Sequence, residues 1–284
     1  MIKVNLHTHS NKSDGVMTPY ELVRKLHRDG VEVVSLTDHD TISGLAEATK
    51  TAREFNLGFI NGIEISTDIS ELKVDFLDSI NNTIHLLGLG FDIEKFNRFT
   101  SEREQAKIAR IKQLIVRLNE AGYYIVPKNI IKKKSEVAKL LVNRGYATNV
   151  QDAFNRIINN FYNRHIDNFK VSDAINIIHS SGGVVIWAHP FEILLGIKKQ
   201  SISINQIDLM CERLKSYNID GIETYYRNYS SEQKMQLNKI KDKYNFISSA
   251  GTDYHAKSSS EKSYYEIDRK LIKEVIKLKD TTEK

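Results

Sequence analysis

An α/β barrel interrupted by a helical insertion is the fold class that the sequence predicts, and three observations predict it. Short apolar runs alternate with helical stretches at both ends of the chain, the βα repeat that builds a parallel sheet. At least seven such runs occur, enough to close a sheet into a barrel. Between Asp92 and Lys170 the strand signal fades and helical periodicity replaces it.

Taken in order, "IKVNL" reads as a first strand. "TPYELVRKLHRDG" follows as a helix, with Thr18 at the N-cap, Pro19 at the first helical position, Glu21 completing a capping box and Gly30 at the end. "VEVVSLT", "LGFINGIEIS" and "TIHLLGLG" are strands two to four, with a helix "SGLAEATKTAREF" between the first two of them. In the middle, Ser101 and Glu104 predict a capping box, and Ile108, Ile111, Ile115 and Leu118 form a helical stripe. "SEVAKLLVNRGY" and "NVQDAFNRIINNF" predict two more helices. Alternation then resumes with helix "SDAINIIHSSGG", strand "VVIWA", a helix over 205–216, strand "IDGIET", helix "SSEQKMQLNKIKDKY" and strand "NFISSAG". The reading divides the chain into a barrel, 1–91 and 171–284, and a helical cap, 92–170.

Composition narrows the class. With 40% apolar and 27% charged residues the chain is an ordinary globular one. No apolar run reaches membrane-spanning length, and the start lacks the apolar stretch of a signal peptide, so a cytoplasmic location is expected. Cys211 is the single cysteine, which excludes a disulfide framework and a thiolate zinc site, and reads as a buried helix residue. The net charge of +5 suits an anionic partner, although lysines in stretches such as "KLIKEVIKLKD" read as solvated faces.

The chemistry lies at strand ends. "HTHSNKSDG" supplies His7, His9 and Asp14; Asp38, His39 and Asp40 end the second strand; Glu64 lies in the third; His85 opens "HLLGLG"; His189 follows "VVIWA"; Asp253 and His255 follow "FISSAG". In a parallel βα barrel that edge is where loops converge and sites assemble. "HTH" alone arises by chance, and so does "GTDYH". Six of nine histidines at strand ends is a pattern, whereas His27, His165 and His179 fall outside it and read as surface or helix residues. His7 and His9 alternate on a strand and leave one face together. Imidazole and carboxylate without thiolate suit manganese, iron or zinc. One ion takes about four to six ligands, so nine candidates predict two or three divalent ions. Bridged ions suit hydrolysis of a phosphate ester.

Together "HTHSNKSDG", "LTDHDTISG", "GIEIS", "IHLLGLG", "WAHP" and "SAGTDYHA" resemble the PHP family, named for polymerase and histidinol phosphatase domains. The resemblance is nearest to stand-alone members acting on nucleoside 3',5'-bisphosphates or trimming short RNA from its 5' end. It implies a distorted (β/α)7 barrel with a helical cap inserted after the fourth strand. It also implies one ion on His7, His9, Glu64 and Asp253, a second on Glu64, His85 and His189, and a third on Asp14, His39 and His255. The nucleophile so implied is a metal-bound hydroxide, and Asp40 orients a ligand histidine from behind.

The chain departs from those relatives in the shell around the substrate. "KSE", Lys134 to Glu136, stands where they open a cap helix with Arg-Pro-His or Arg-Thr-His, "FYNRH" replaces their Gly-Lys-Pro-Ala-Tyr stretch, and Tyr229 takes the place of a histidine. Lys134, Arg164 and Arg227 are the candidate phosphate-binding residues, since ammonium and guanidinium groups match phosphate oxygens. The expectation is a metal-dependent phosphoesterase for a nucleotide or other small phosphorylated metabolite, with no membrane and no obligate protein partner. A 5'-3' exonuclease on short oligonucleotides and a non-catalytic metal-binding module are the alternatives.

Overall fold

Strand direction follows from what lies between the strands. β1 (Ile2–Asn5), β2 (Val33–Leu36) and β3 (Gly58–Asp68) are joined by the helices Pro19–Arg28 and Leu45–Glu54, and each pairs parallel with the next, as a helical crossover allows. The first helix carries the expected caps. Thr18 accepts from the Glu21 N–H, Glu21 accepts from the Thr18 N–H, and Gly30 takes a left-handed φ of 78° just past the end. The computed structural model describes residues 1–74, 76, 83–162, 168–195 and 200–278.

β4 (Thr83–Leu89) breaks the expected parallel series. It pairs antiparallel with β3, and again antiparallel with β5 (Val184–Trp187). Among the described residues only a 3₁₀ turn, Ser70–Leu72, lies between β3 and β4. The connection spans residues 69–82, and an antiparallel neighbour needs no long crossover. β6 (Gly221–Tyr226) and β7 (Ile247–Gly251) then resume parallel pairing after the helices Ile204–Ser216 and Ser231–Tyr244. A further short strand not read from the sequence, β8 (Tyr265–Ile267), pairs antiparallel with β1.

The sheet order is β7-β6-β5-β4-β3-β2-β1-β8. The sheet also approaches closure between β7 and the chain after β1, where the Leu6 N–H donates to Ala250 O at 3.0 Å. The result is the distorted α/β barrel. Helices cover one face through Leu22, Leu26, Ile178, Met210, Cys211 and Leu237. The inner face packs Val4, Leu6, Val33, Ile60, Leu87 and Ile186 against Ile272, Val275 and Ile276. The lysines of that last stretch read as a solvated face, and Lys270, Lys273 and Lys277 are exposed, while its branched residues seal the core.

The chain divides into two compact units, Met1–Phe96 with Asn168–Lys284, and Asn97–Asp167. In the second, Ile111, Leu114, Leu118, Val137, Leu141 and Ile157 form a separate core. Its helices are the long Ile93–Glu120, which begins in the first unit, then Lys134–Asn143, and a run over 150–161 with a π-turn at Phe154–Ile158. Ser101 does not start a helix as expected. The start lies earlier, where Asp92 accepts from the Lys95 N–H at 2.9 Å, and good helix formers carry the chain through Ser101.

Candidate metal centre

His7 and His9 face one way from the segment after β1. Thr8 faces the other way, and its hydroxyl donates to the Ser35 carbonyl at 2.7 Å. The His9 N–H donates to Tyr254 O at 2.8 Å, which seats the pair beside the chain that follows β7. Asp38 ties down the next loop, accepting from the Ser10 N–H (2.8 Å), the Ser10 hydroxyl (2.6 Å) and the Ser13 hydroxyl (2.5 Å). Gly15 lets that loop fold back, since a Cβ there would lie 2.3 Å from the His9 carbonyl oxygen.

Glu64, fully buried on β3, is the centre of the cluster. Its Oε1 lies 3.2 Å from His7 Nε2, 3.1 Å from His85 Nδ1 and 3.0 Å from His189 Nε2. Its Oε2 lies 3.2 Å from His9 Nε2 and 3.1 Å from His39 Nδ1. Asp253 Oδ1 is 3.1 Å from His9 Nε2, and Asp14 Oδ2 is 3.0 Å from His255 Nε2. The structure therefore gathers all nine residues singled out from the sequence. Three sets have ligand atoms within 4.8 Å of one another: His7, His9, Glu64 and Asp253; His9, Asp14, His39 and His255; and His39, Glu64 and His85. His85 reaches the cluster from the start of its strand because β4 is antiparallel, pairing with Ser66 near the far end of β3.

Three residues here hold positive φ without being glycine: His189 at 28°, Asp40 at 51° and Asp253 at 51°. Each such residue costs about 1–3 kcal/mol, a strain that concentrates at functional sites.

Burial disfavours charge on these groups, and neighbouring charges oppose or reinforce it. Burial would lower His7 and His85, but Glu64 beside them raises both. His9 rises to about 9 against its burial, through the Asp253 and Glu64 carboxylates beside its Nε2. At His39 burial prevails and the pKa falls to about 4. Glu64 and Asp253 are held well below the carboxylate range in spite of burial, by His39 and His7 respectively.

Protons alone do not satisfy this arrangement. His7 Nε2, both ring nitrogens of His9, His39 Nδ1, Glu64 Oε2 and His189 Nδ1 are buried without a hydrogen-bond partner. Converging lone pairs on imidazole and carboxylate, with no thiolate among them, are a donor set that fits divalent cations.

The PHP domain model matches residues 5–170, more than half of the chain. The chain belongs to the PHP domain family. Along nearly its whole length it resembles a Haemophilus influenzae protein named 5'-3' exoribonuclease, 29% identical over 264 residues, 89% of this chain and 90% of that one. A Chromobacterium violaceum protein named 3',5'-nucleoside bisphosphate phosphatase is 24% identical over 270 residues, 90% and 88% of the two chains. In fold it resembles the solved structure of an amidohydrolase from Chromobacterium violaceum, with TM-score 0.67 and 22% identity over 97% of this chain and 96% of that one. This PHP domain is a metal-dependent phosphoesterase, a hydrolase of phosphoric esters.

The family match ends before His189, Asp253 and His255, which the fold nevertheless brings to the same cluster. Two supporting carboxylates escaped the sequence reading. Glu223 on β6 is fully buried; its oxygens lie 3.2 and 3.3 Å from His7 Nδ1, and Oε2 accepts from the His189 N–H at 2.8 Å. A carboxylate inside the apolar run "GIETYY" was the available signal, since Glu is almost never fully buried unpaired. Gly251 makes room for this contact, because a Cβ there would lie 2.4 Å from His7 Cβ and 2.7 Å from Glu223 Oε1. Glu261 accepts from the His255 N–H (2.8 Å), the Lys257 N–H (2.9 Å) and Arg227 Nη1 (3.0 Å), closing the loop after Asp253.

The remaining expected residues fall as follows. Arg227 adjoins the cluster, donating from Nη1 to Asp253 O at 2.9 Å. The Asp40 carboxylate accepts from the Ser66 N–H at 2.9 Å and lies near enough to raise His85. Lys134 belongs to the second unit, with its ammonium 4.7 Å from the centre of the Tyr162 ring. Arg164 and His165 lie outside the described residues. The Tyr229 hydroxyl accepts from the Phe191 N–H at 3.1 Å and so braces the loop that carries His189. His27 is exposed and stacks on Phe55, and His179 Nε2 meets Asp220 Oδ2 at 2.7 Å, both away from the cluster. No helix of the described residues is long and apolar enough to cross a membrane.

Proposed function

We propose that this PHP domain hydrolyses a phosphate ester of a nucleotide or another small phosphorylated metabolite. We further assign His7, His9, Asp14, His39, Glu64, His85, His189, Asp253 and His255 as holding two or three divalent ions drawn from manganese, iron and zinc. Glu64 carries this reading: one buried carboxylate offers one oxygen to three imidazoles and the other oxygen to two more. Both oxygens face ligand sets, the arrangement of a bridge rather than of an ion pair. When bound, such ions acidify water to a nucleophile near neutral pH and offset phosphoryl charge.

The chain's own residues supply position. Glu223 fixes the His7 ring so that Nε2 faces Glu64 and Asp253. Arg227 holds Asp253 from behind, and with Lys134 and Arg164 it is a proposed phosphate ligand. No side-chain nucleophile is required. A second reading, 5'-3' exonuclease action on short oligonucleotides, is favoured by the similarity to the Haemophilus influenzae exoribonuclease over 89% of the chain.

Phosphate release tests the proposal. After reconstitution with manganese, iron or zinc, the protein is offered nucleoside 5'-monophosphates, 3',5'-bisphosphates, short RNA and sugar phosphates, with His39→Ala alongside. Turnover of one class that disappears in His39→Ala is expected. No turnover of any ester with any metal would overturn the reading.

A further inference from the structure

Positive charge in this protein is concentrated in the cap. The unit Asn97–Asp167 holds fourteen Lys and Arg against six Asp and Glu, a net charge of +8. The whole chain is +5, which leaves −3 for the remainder. So uneven a distribution points to a polyanionic partner on that unit.

Within the cap the charge borders a groove of about 510 Å³. Lys112 of the long helix and Lys128 and Asn129 of the following loop line it, together with Ile115, Pro127 and Ile130. Both lysines are exposed, and neither has an ion-pair partner among the described residues. Ile130 is 66% exposed, an apolar surface left in water beside two uncompensated ammonium groups. The groove therefore offers an apolar side chain and two ammonium groups side by side. An oligonucleotide satisfies both features, with phosphates on the ammonium groups and the hydrophobic faces of bases or sugars on the isoleucines.

We propose that this groove binds the backbone of a single-stranded oligonucleotide, with Lys112 and Lys128 each contacting a phosphate. The proposal rests on the nucleotide-phosphate reading above and deepens it, adding a strand-holding surface built wholly from the cap.

The test is fluorescence anisotropy of the full-length protein with a 5'-labelled single-stranded RNA, in EDTA so that the probe stays intact. In the Lys112→Ala/Lys128→Ala double variant, affinity at low salt falls about tenfold or more. The slope of log affinity against log salt becomes shallower by about 1.4, since each single-strand phosphate contact contributes about 0.7. Arginine at both positions restores binding. A barrel control, Lys50→Ala/Lys239→Ala, removes the same charge and keeps affinity within about twofold of the wild type, as a local rather than global contact requires. Melting curves confirm that each variant is folded.

The proposal falls if the cap variant binds RNA with unchanged affinity and slope, or if the barrel control loses as much. It also falls if the two lysines govern binding to anionic vesicles and not to RNA. Hydrolysis is scored separately in manganese. A wild type that binds RNA through the groove but cleaves no nucleotide phosphate leaves the groove standing and removes the substrate reading. A Lys112→Ala/Lys128→Ala variant that binds and cleaves RNA as the wild type does removes the groove and leaves the substrate reading standing.

Discussion

Glu223 is a buried carboxylate set behind two of the proposed ligands. Its carboxylate meets His7 Nδ1 and the His189 N–H. Glu223→Gln keeps the shape and removes the charge, and the expected loss of metal affinity is about 10–100-fold, typical for a partner of a ligand histidine. Competition against a chelating dye reads that loss directly; an unchanged affinity would make Glu223 a packing residue. A second expectation concerns pH in the chelated protein. The His9 pKa is raised from 6.5 to about 9, so its stabilising share is whole below 6.5 and is lost as pH climbs through about 9. His7 and His85 are raised as well and act in the same direction. His39, lowered to about 4, acts oppositely: its share is whole above 6.5 and is lost as pH falls toward 4. The melting temperature in EDTA should therefore drop between pH 6.5 and 9, and His9→Gln should flatten that drop. A rise across the window would contradict the assignment.

At the level of elements, local signals and tertiary context contributed differently. The capping box of Thr18 and Glu21 was legible because a cap is satisfied within four residues. Thr18→Ala should cost about 1 kcal/mol in urea unfolding while leaving metal affinity unchanged, since the cap lies outside the cluster. The direction of β4 was not, since the run "TIHLLGLG" reads the same whichever way its neighbours run. β8 was not: three residues, "YEI", make sense as a strand only where β1 is there to pair with them. Ser101 misled because a local motif competed with a longer helix whose start lay at Asp92.

For the whole molecule, metal binding should act on one unit. The proposed ligands come from six strands or the segments that follow them, all in Met1–Phe96 and Asn168–Lys284, and binding would stabilise only the state that has assembled them. Hydrogen exchange is expected to quicken in β1, β3 and β7 when the metal is chelated. Amides around Leu114, Val137 and Leu141 in the cap core should be indifferent, because that core is separate. Equal loss of protection in both units would mean that they unfold together.

Taken by itself, the sequence determined the α/β class, and it singled out a helical stretch and nine candidate residues that the structure brings near one another. Those are patterns of residue type and spacing, and strand-end histidines declare themselves without a structure. The tertiary structure alone decided that β4 runs antiparallel, that Glu64 stands between five imidazoles, and that Glu223 and Glu261 hold His7 and the His255 loop in place. The physical reason is distance along the chain. Glu223 lies 216 residues from His7, and a hydrogen bond at that separation exists only once the sheet has approached closure and excluded water from both groups.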